Sequence, residues 1–192
     1  MARSRTRLTA EIDFDRDGKQ HGFIRLPYSV HRSAYGWIPI PVASIKNGKG
    51  PRILLMAGNH GDEYEGQVAL GKLIRALEPA DVRGRIIILP SANFPAAMAG
   101  MRTSPLDEGN LNRSFPGDPY GGPTAQIADY IESVLLAAMR FRLRFSLGRQ
   151  LVDLCVERTD APPANPRGAG RGRRDAAHLR CAGRLSRRCR LG

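Results

Sequence analysis

Three consecutive segments constrain the middle of this chain. Ile53-Leu54-Leu55-Met56-Ala57 is an unbroken apolar run, and Ile86-Ile87-Ile88-Leu89 is a second one rich in β-branched side chains. Runs this short, apolar at every position, have the form of strands covered on both faces. Between them, residues 65–78 place Val68, Ala69, Leu73, Ile74 and Leu77 on one helical face, with Lys72, Arg75 and Glu78 off it, and Pro79 stops the pattern. Strand, helix and strand in quick succession make a βαβ unit, which demands a parallel sheet and a right-handed crossover. Ligands in such sheets bind at the carboxyl ends of the strands. Two polar segments follow those ends, one at Gly58 and one at Asn93.

The first of them reads Gly58-Asn59-His60-Gly61-Asp62-Glu63-Tyr64-Glu65-Gly66. An imidazole and a carboxylate three residues apart can face one point if the turn between them is tight. Gly58 and Gly61 allow backbone angles that other residues avoid. Such a pair supplies a nitrogen and an oxygen ligand of the kind Zn²⁺ takes. A plainer reading has Asp62 capping the helix, with Glu63 and Glu65 favouring its positive end. Taken alone, the segment leaves both readings open.

Ahead of this unit, residues 8–14 alternate apolar and polar as a half-buried strand does, and Asp15-Arg16-Asp17-Gly18 reads as a turn before a second strand, His21 to Leu26. A further extended stretch runs from Tyr35 to Ile45, where Pro39 and Pro41 argue for a sheet edge. His21 and His31 lie in polar, turn-rich surroundings and are expected at the surface. Beyond Asn93 the chain is long and loop-like as far as Gly117, with Phe94, Leu111 and Phe115 as apolar anchors that favour an ordered loop. Asn112 and Arg113 are adjacent within it, and an Arg can grip a carboxylate through two parallel hydrogen bonds. From Thr124 a last helix is expected, with Ile127, Ala128, Ile131, Val134 and Leu135 at helical spacing.

The formal charge of +12 suggests a nucleic-acid partner until it is divided along the chain. Residues 1–139 hold 16 Lys+Arg against 14 Asp+Glu, a difference of +2; residues 140–192 hold 14 Arg and no Lys against 4 acids, a difference of +10. Cys155, Cys181 and Cys189 all lie in this tail without a Cys-x-x-Cys pair, which points to neither a zinc ribbon nor a disulfide framework. No recognition fold or aromatic interleaving accompanies the arginines, so only non-specific, salt-sensitive nucleic-acid binding is open to them. No apolar run is long enough to span a bilayer and no apolar region follows the basic N-terminus. The expectation is a cytoplasmic protein without a membrane partner. The 192 residues could hold one ordinary domain. Oligomeric state is not legible.

Gly58-Asn59-His60-Gly61-Asp62-Glu63, followed downstream by Asn110-Leu111-Asn112-Arg113-Ser114-Phe115-Pro116-Gly117, resembles the succinylglutamate desuccinylase/aspartoacylase family, zinc amide hydrolases related in fold to the zinc carboxypeptidases. Within it, residues 8–136 are most similar to the N-acetyl-diaminobutyrate deacetylases of ectoine breakdown, down to Gly-Asp-Glu-Tyr-Glu-Gly and Arg-Thr-Ser-Pro. The resemblance implies an α/β fold: the N-terminal part of a carboxypeptidase-like mixed or parallel sheet with flanking helices, preceded by short antiparallel strands. It implies Zn²⁺ held in part by His60 and Glu63. Asn112 and Arg113 match the pair that binds the substrate carboxylate, and Arg102 matches an Arg that polarises the scissile carbonyl. The implied substrate is a small N-acyl amino acid, and the implied reaction is metal-assisted amide hydrolysis with a separate Glu handling protons.

Two parts of that machinery belong after residue 139 in the family, and this chain carries neither. One is a strand ending Asp-x-His-Ser-Gly-Gly, whose His is the third zinc ligand. The other is the general-base Glu, further on. Here the chain reads Ala137-Ala138-Met139-Arg140-Phe141-Arg142-Leu143-Arg144-Phe145-Ser146-Leu147-Gly148-Arg149, and the one later histidine, His178, has no strand pattern around it to hold an imidazole in place. Permitted codons for residues 137–149, read with the first base dropped, encode Pro-Arg-Cys-Asp-Phe-Ala-Phe-Asp-Phe-His-Ser-Gly-Gly. One shift thus restores the strand, the histidine and the double glycine together. The expectation is therefore a truncated catalytic domain over residues 1–136, with an out-of-frame, largely disordered Arg-rich tail over 137–192. Such a half-sheet should expose an unpaired edge and dissolve poorly. An intact binding module completed by the tail is the less favoured alternative.

Overall fold

The computed structural model describes residues 6–137, together with the backbone of 141–143 and 154–155. The elements run β1 (Thr9–Ala10), β2 (Gly18–Pro27), β3 (Trp37–Asn47), β4 (Arg52–Met56), α1 (Tyr64–Ala76), β5 (Gly84–Leu89), α2 (Phe94–Ala99), α3 (Leu111–Ser114), α4 (Pro123–Tyr130), β6 (Phe141–Leu143) and β7 (Leu154–Cys155). They build one sheet in the order β1-β2-β3-β5-β4-β6-β7. Its first strands are antiparallel, and the central pair β4/β5 is parallel, with Ile53 opposite Ile86 and Leu55 opposite Ile88. The βαβ unit expected from the apolar runs is its centre. A 3-10 turn over Pro79–Asp81 ends the crossover, as Pro79 foretells.

Helices cover both faces. On one, α1 lays Leu70, Leu73, Ile74 and Leu77 against Ala43, Ile45, Ala57 and Ile88. Leu70 is the buried residue of this helix, while Val68 and Ala69, expected on the inner face, are exposed. The buried stripe steps Leu70, Leu73, Ile74, Leu77, and Val68 lies off it. On the other face α4, prolonged by π-helical turns over Ile131–Leu136, buries Ile127, Ala128, Ile131 and Leu135 against Ile24, Leu26, Ile40, Leu54 and Ile87. Val134 packs at the rim of this cluster.

The edge position expected from Pro39 and Pro41 holds only locally. β3 is an internal strand, between β2 and β5. Pro39 and Pro41 pair with Arg25 and Phe23 of β2, whereas the pairing to β5 begins only at Ala43. Two residues apart, the prolines have the same orientation, so both missing N–H groups fall on one side of the strand. The outer half of β3 is an edge locally and the strand as a whole is not. At the N-terminus, pairing of residues 8–14 is confined to Thr9–Ala10, and β2 is longer than the expected His21–Leu26. The turn before β2 is tied to the sheet by Arg85, whose buried guanidinium donates to the Phe14 carbonyl (2.7 Å) and to Asp15 Oδ1 (2.8 Å). His21 and His31 are exposed, as expected.

One further expectation meets the structure only in part, and another falls outside the described residues. β6 lies parallel to β4 over Ile53–Leu54, and β7 lies antiparallel to β6, so the edge of β4 is not left bare there. The rest of the Arg-rich tail, with His178, Cys181 and Cys189, lies outside the described residues, as does the disorder expected of it. No helix among the described residues is long and apolar enough to cross a membrane.

Burial pushes the Tyr130 phenol up to about 12. In the unfolded chain a tyrosine titrates near pH 10, so between about pH 10 and 12 the unfolded state loses a proton that the folded state keeps. Stability is therefore full below about pH 10 and falls as pH rises toward 12, by on the order of 2–3 kcal/mol. Tyr130→Phe should flatten that slope, which urea unfolding at about pH 9 and about pH 11 would reveal.

Candidate active site

β4 ends at Met56, and the chain turns through Gly58 into the segment that opens α1. Three backbone bonds bind this turn to the end of β5: Ala57 N–H to Leu89 O, Ala92 N–H to Ala57 O, and Asn93 N–H to Gly58 O. Gly58 adopts a left-handed φ of 70°, a conformation that disfavours any side chain. Gly61 is required for a different reason: a Cβ there would run into the backbone carbonyl of Ala96 and the amide of Ala97 at the start of α2. The turn is thus pressed between β5 and α2. Gln67, one turn into α1, donates to the carbonyls of Gly61 and Glu63 (3.1 Å each) and accepts from Ser91 Oγ (2.9 Å), bolting the segment to the β5 side.

This packing brings His60 and Glu63 together. His60 is buried, and its Nδ1 lies 2.9 Å from Glu63 Oε1. Glu63 occupies the N-cap position of α1, yet its side chain makes no capping bond. It turns to His60, and Arg102 Nη1 approaches the same Oε1 at 3.7 Å. Nor does Asp62 supply the cap, since the N-cap residue is Glu63. The capping reading of this segment gives way to a convergent imidazole–carboxylate pair.

α3 delivers the second half. Asn110 caps it, its Oδ1 accepting from Asn112 N–H (3.1 Å), and the same Oδ1 stands 3.3 Å from His60 Nε2. Asn112 Nδ2 is 3.4 Å from His60 Nε2, and Asn112 Oδ1 accepts from Asn59 Nδ2 at 2.6 Å. α3 is held by Leu111, fully buried in the core, with Phe94 and Phe115 packed at its rim. The loop before it is pinned by Asp107, which accepts from Thr124 N–H and Thr124 Oγ1 at the start of α4 (2.7 Å each). The ordered-loop expectation holds, with the addition that α2 and α3 are helical. Of the sequence-derived candidates, His60, Glu63, Arg102 and Asn112 meet in one place. Arg113 is their exposed neighbour on α3, without an ion-pair partner among the described residues.

The pair tests well as part of a zinc site. Two ligands on a tetrahedral Zn²⁺ at 2.0–2.1 Å lie roughly 3.3 Å apart, a few tenths of an ångström from the spacing of His60 Nδ1 and Glu63 Oε1. With Nδ1 given to a metal, Nε2 carries the proton, and Asn110 Oδ1 is the acceptor in reach to fix that tautomer. A catalytic zinc takes three protein ligands, and among the described residues no three His, Cys, Asp or Glu side chains gather. The donors present therefore fit two places of a set.

Asn59, Asn110 and Gln67 are the residues that sequence reasoning passed over as site members. Asn110 had a signal, as the first Asn of Asn-Leu-Asn at the mouth of a helix. Asn59 had only its place next to His60.

The model of the succinylglutamate desuccinylase/aspartoacylase catalytic domain matches residues 49–145, just over half of the chain. The chain is 52% identical over 147 residues to the N-alpha-acetyl-L-2,4-diaminobutyric acid deacetylase of Halomonas elongata, covering 77% of this chain and 43% of that protein. Among solved structures it is similar to the product-bound ectoine utilization protein EutE (DoeB) of Ruegeria pomeroyi, with a TM-score of 0.71 and 51% identity over 72% of this chain and 42% of that one. A succinylglutamate desuccinylase from Silicibacter sp. TM1040 superposes with a TM-score of 0.71 at 48% identity, over 72% and 42% of the two chains. The chain spans less than half the length of these relatives. The mixed sheet with helices on both faces, entered through antiparallel strands, matches their fold. On this shared sheet and on the matched sequence, the chain belongs to the succinylglutamate desuccinylase/aspartoacylase family.

Proposed function

We propose that this chain is the front part of a zinc-dependent cytoplasmic deacylase that hydrolyses the amide bond of a small N-acyl amino acid, and that its active site is left unfinished by a shift of reading frame near codon 137. Acetyl on a diaminobutyrate-like amino acid is the favoured substrate, from the kinship with the Halomonas enzyme. The observation that carries the reading is the convergence of His60 Nδ1 and Glu63 Oε1 beside Arg102 and Asn112, at the carboxyl end of β4. His60 and Glu63 would hold the metal. Bound zinc would supply an acidified water and polarise the carbonyl. Arg102 would face the scissile carbonyl, and Asn112 with Arg113 the substrate carboxylate.

The frame reading gains support from the sheet. β6 lies parallel to β4 with Phe141 opposite Ile53 and Arg142 opposite Leu54. In the shifted frame the same stretch reads Asp-Phe-Ala-Phe-Asp-Phe-His-Ser-Gly-Gly, with its histidine at the position of Ser146. A strand of that sequence, carried on in the same register, would bring that histidine level with Gly58, beside the turn that holds His60. A third ligand belongs there.

As it stands, the chain should bind Zn²⁺ weakly and turn over no substrate. Purified protein assayed with N-alpha-acetyl-L-2,4-diaminobutyrate, alongside His60→Ala, tests this. Equal inactivity of the two, with residual zinc binding lost in the variant, is the expected result. Turnover that His60→Ala abolishes would show a complete site and overturn the frame reading.

A further inference from the structure

We propose that Asn59 is a positioning residue that decides which end of the Asn112 amide faces the site; the inference rests on the reading of Asn112 as a substrate-carboxylate ligand. A side-chain amide is two-faced. Its NH₂ end donates to a carboxylate, and its carbonyl end repels one. Asn112 can serve a carboxylate only with Nδ2 presented, and the nearby His60 Nε2, which accepts or donates according to the tautomer of the ring, does not by itself fix that orientation.

Asn59 removes the ambiguity. It is 4% exposed, and its Nδ2 donates to Asn112 Oδ1 at 2.6 Å. That bond ties down the carbonyl end of Asn112 and leaves Nδ2 on the side of His60, 3.4 Å from Nε2. The backbone of Asn59 is held in place, because it follows the left-handed Gly58 and precedes His60 in the turn clamped to β5, and this keeps its amide within reach of Asn112. Among the described residues Asn59 Oδ1 has no hydrogen-bond partner although it is buried. The bond to Asn112 is thus the polar contact its amide makes there. A buried Asn with half its hydrogen-bonding capacity unused is costly to keep for packing alone. The site residue one position before His60 therefore acts across the fold, on α3.

The test is binding of N-alpha-acetyl-L-2,4-diaminobutyrate to the full chain, followed by ¹⁵N–¹H NMR at the Asn112 side-chain amide and the Arg113 backbone amide. Asn59→Leu keeps the volume and adds no charge but removes the donor; Asn59→Asp turns the donor into an acceptor. The expected result is binding roughly tenfold weaker or more in Asn59→Leu, and weaker again in Asn59→Asp, with the Asn112 NH₂ resonances displaced in both. A purely structural role would lower Tm and leave the dissociation constant unmoved below it. Binding by Asn59→Leu within about twofold of the parent would overturn the proposal while leaving the carboxylate reading intact. Binding by none of the chains would overturn the carboxylate reading, and the proposal with it.

Discussion

Removal of one base at codon 137 should turn this chain into a zinc-loaded, active deacylase. On the proposed frame reading, the shifted frame would supply a histidine at the end of a strand that, in the register of β6, would pair with β4, and β4 ends at the turn carrying His60 and Glu63. With three ligands preset by packing, zinc content should rise to about one ion per chain, and affinity should increase by orders of magnitude. The longer frame should also bring the proton-handling Glu of the family. Turnover should climb from undetectable to a kcat on the order of 1 s⁻¹ or more. His60→Ala in the restored protein should abolish both zinc content and turnover, and its effect there should far exceed its effect in the present chain. Metal analysis and an amine-release assay on the two proteins measure the change. A restored protein that folds but holds no zinc would contradict the ligand assignment.

The second large effect belongs to Gly61. A Cβ at this position meets the carbonyl and amide between Ala96 and Ala97, which are backbone atoms and cannot rotate aside. Either α2 moves off the sheet or the turn holding His60 and Glu63 opens. Gly61→Ala should therefore cost about 3 kcal/mol or more, a fall in Tm of roughly 10 °C for a domain of this size. Gly58→Ala is a useful contrast. Its left-handed φ disfavours a side chain, and a Cβ there would meet Ser91 Cα at 2.9 Å and the Gln67 side chain at 3.1 Å, a milder clash than the one at Gly61. Its cost should be nearer 1–2 kcal/mol. Thermal unfolding by circular dichroism separates the two. Equal melting temperatures for Gly61→Ala and the parent would show that α2 does not press on this turn.

The parts of the fold that were legible in the sequence are those where a single physical demand acts. Ile53–Ala57 and Ile86–Leu89 are apolar throughout because both faces of the central strands are covered, so their pairing and the crossover followed directly. β3 is not legible as an internal strand because it has two environments: Pro39 and Pro41 sit where it has one neighbour, and Ala43 onward where it has two. Val68 was misplaced because several helical faces share apolar residues, and only contact with the sheet selects among them. α2 and α3 escaped notice because helices of six and four residues have too few turns for periodicity to show.

At the site, His60 and Glu63 are legible as an imidazole and a carboxylate in a glycine-bounded turn at a strand end, a pair whose spacing alone leaves metal ligation and helix capping both open. Arg102 needed the family resemblance to be singled out, whereas Asn112 is marked beforehand only by its place beside Arg113. Asn59, Asn110 and Gln67 act through contacts across the fold, some fifty positions apart for the bonds to α3. Linear spacing carries no trace of such contacts. The bolt from Gln67 to Ser91 joins two elements whose closeness only the βαβ crossover creates.

On the proposed reading, the front of a deacylase site ends where the reading frame changes. The most direct test of this reading is the nucleotide sequence of the coding DNA across codon 137. Dropping one base there should yield Asp-Phe-His-Ser-Gly-Gly in register with α4, followed by a long open frame. A stop codon soon after, or no histidine at the position of Ser146, would contradict it.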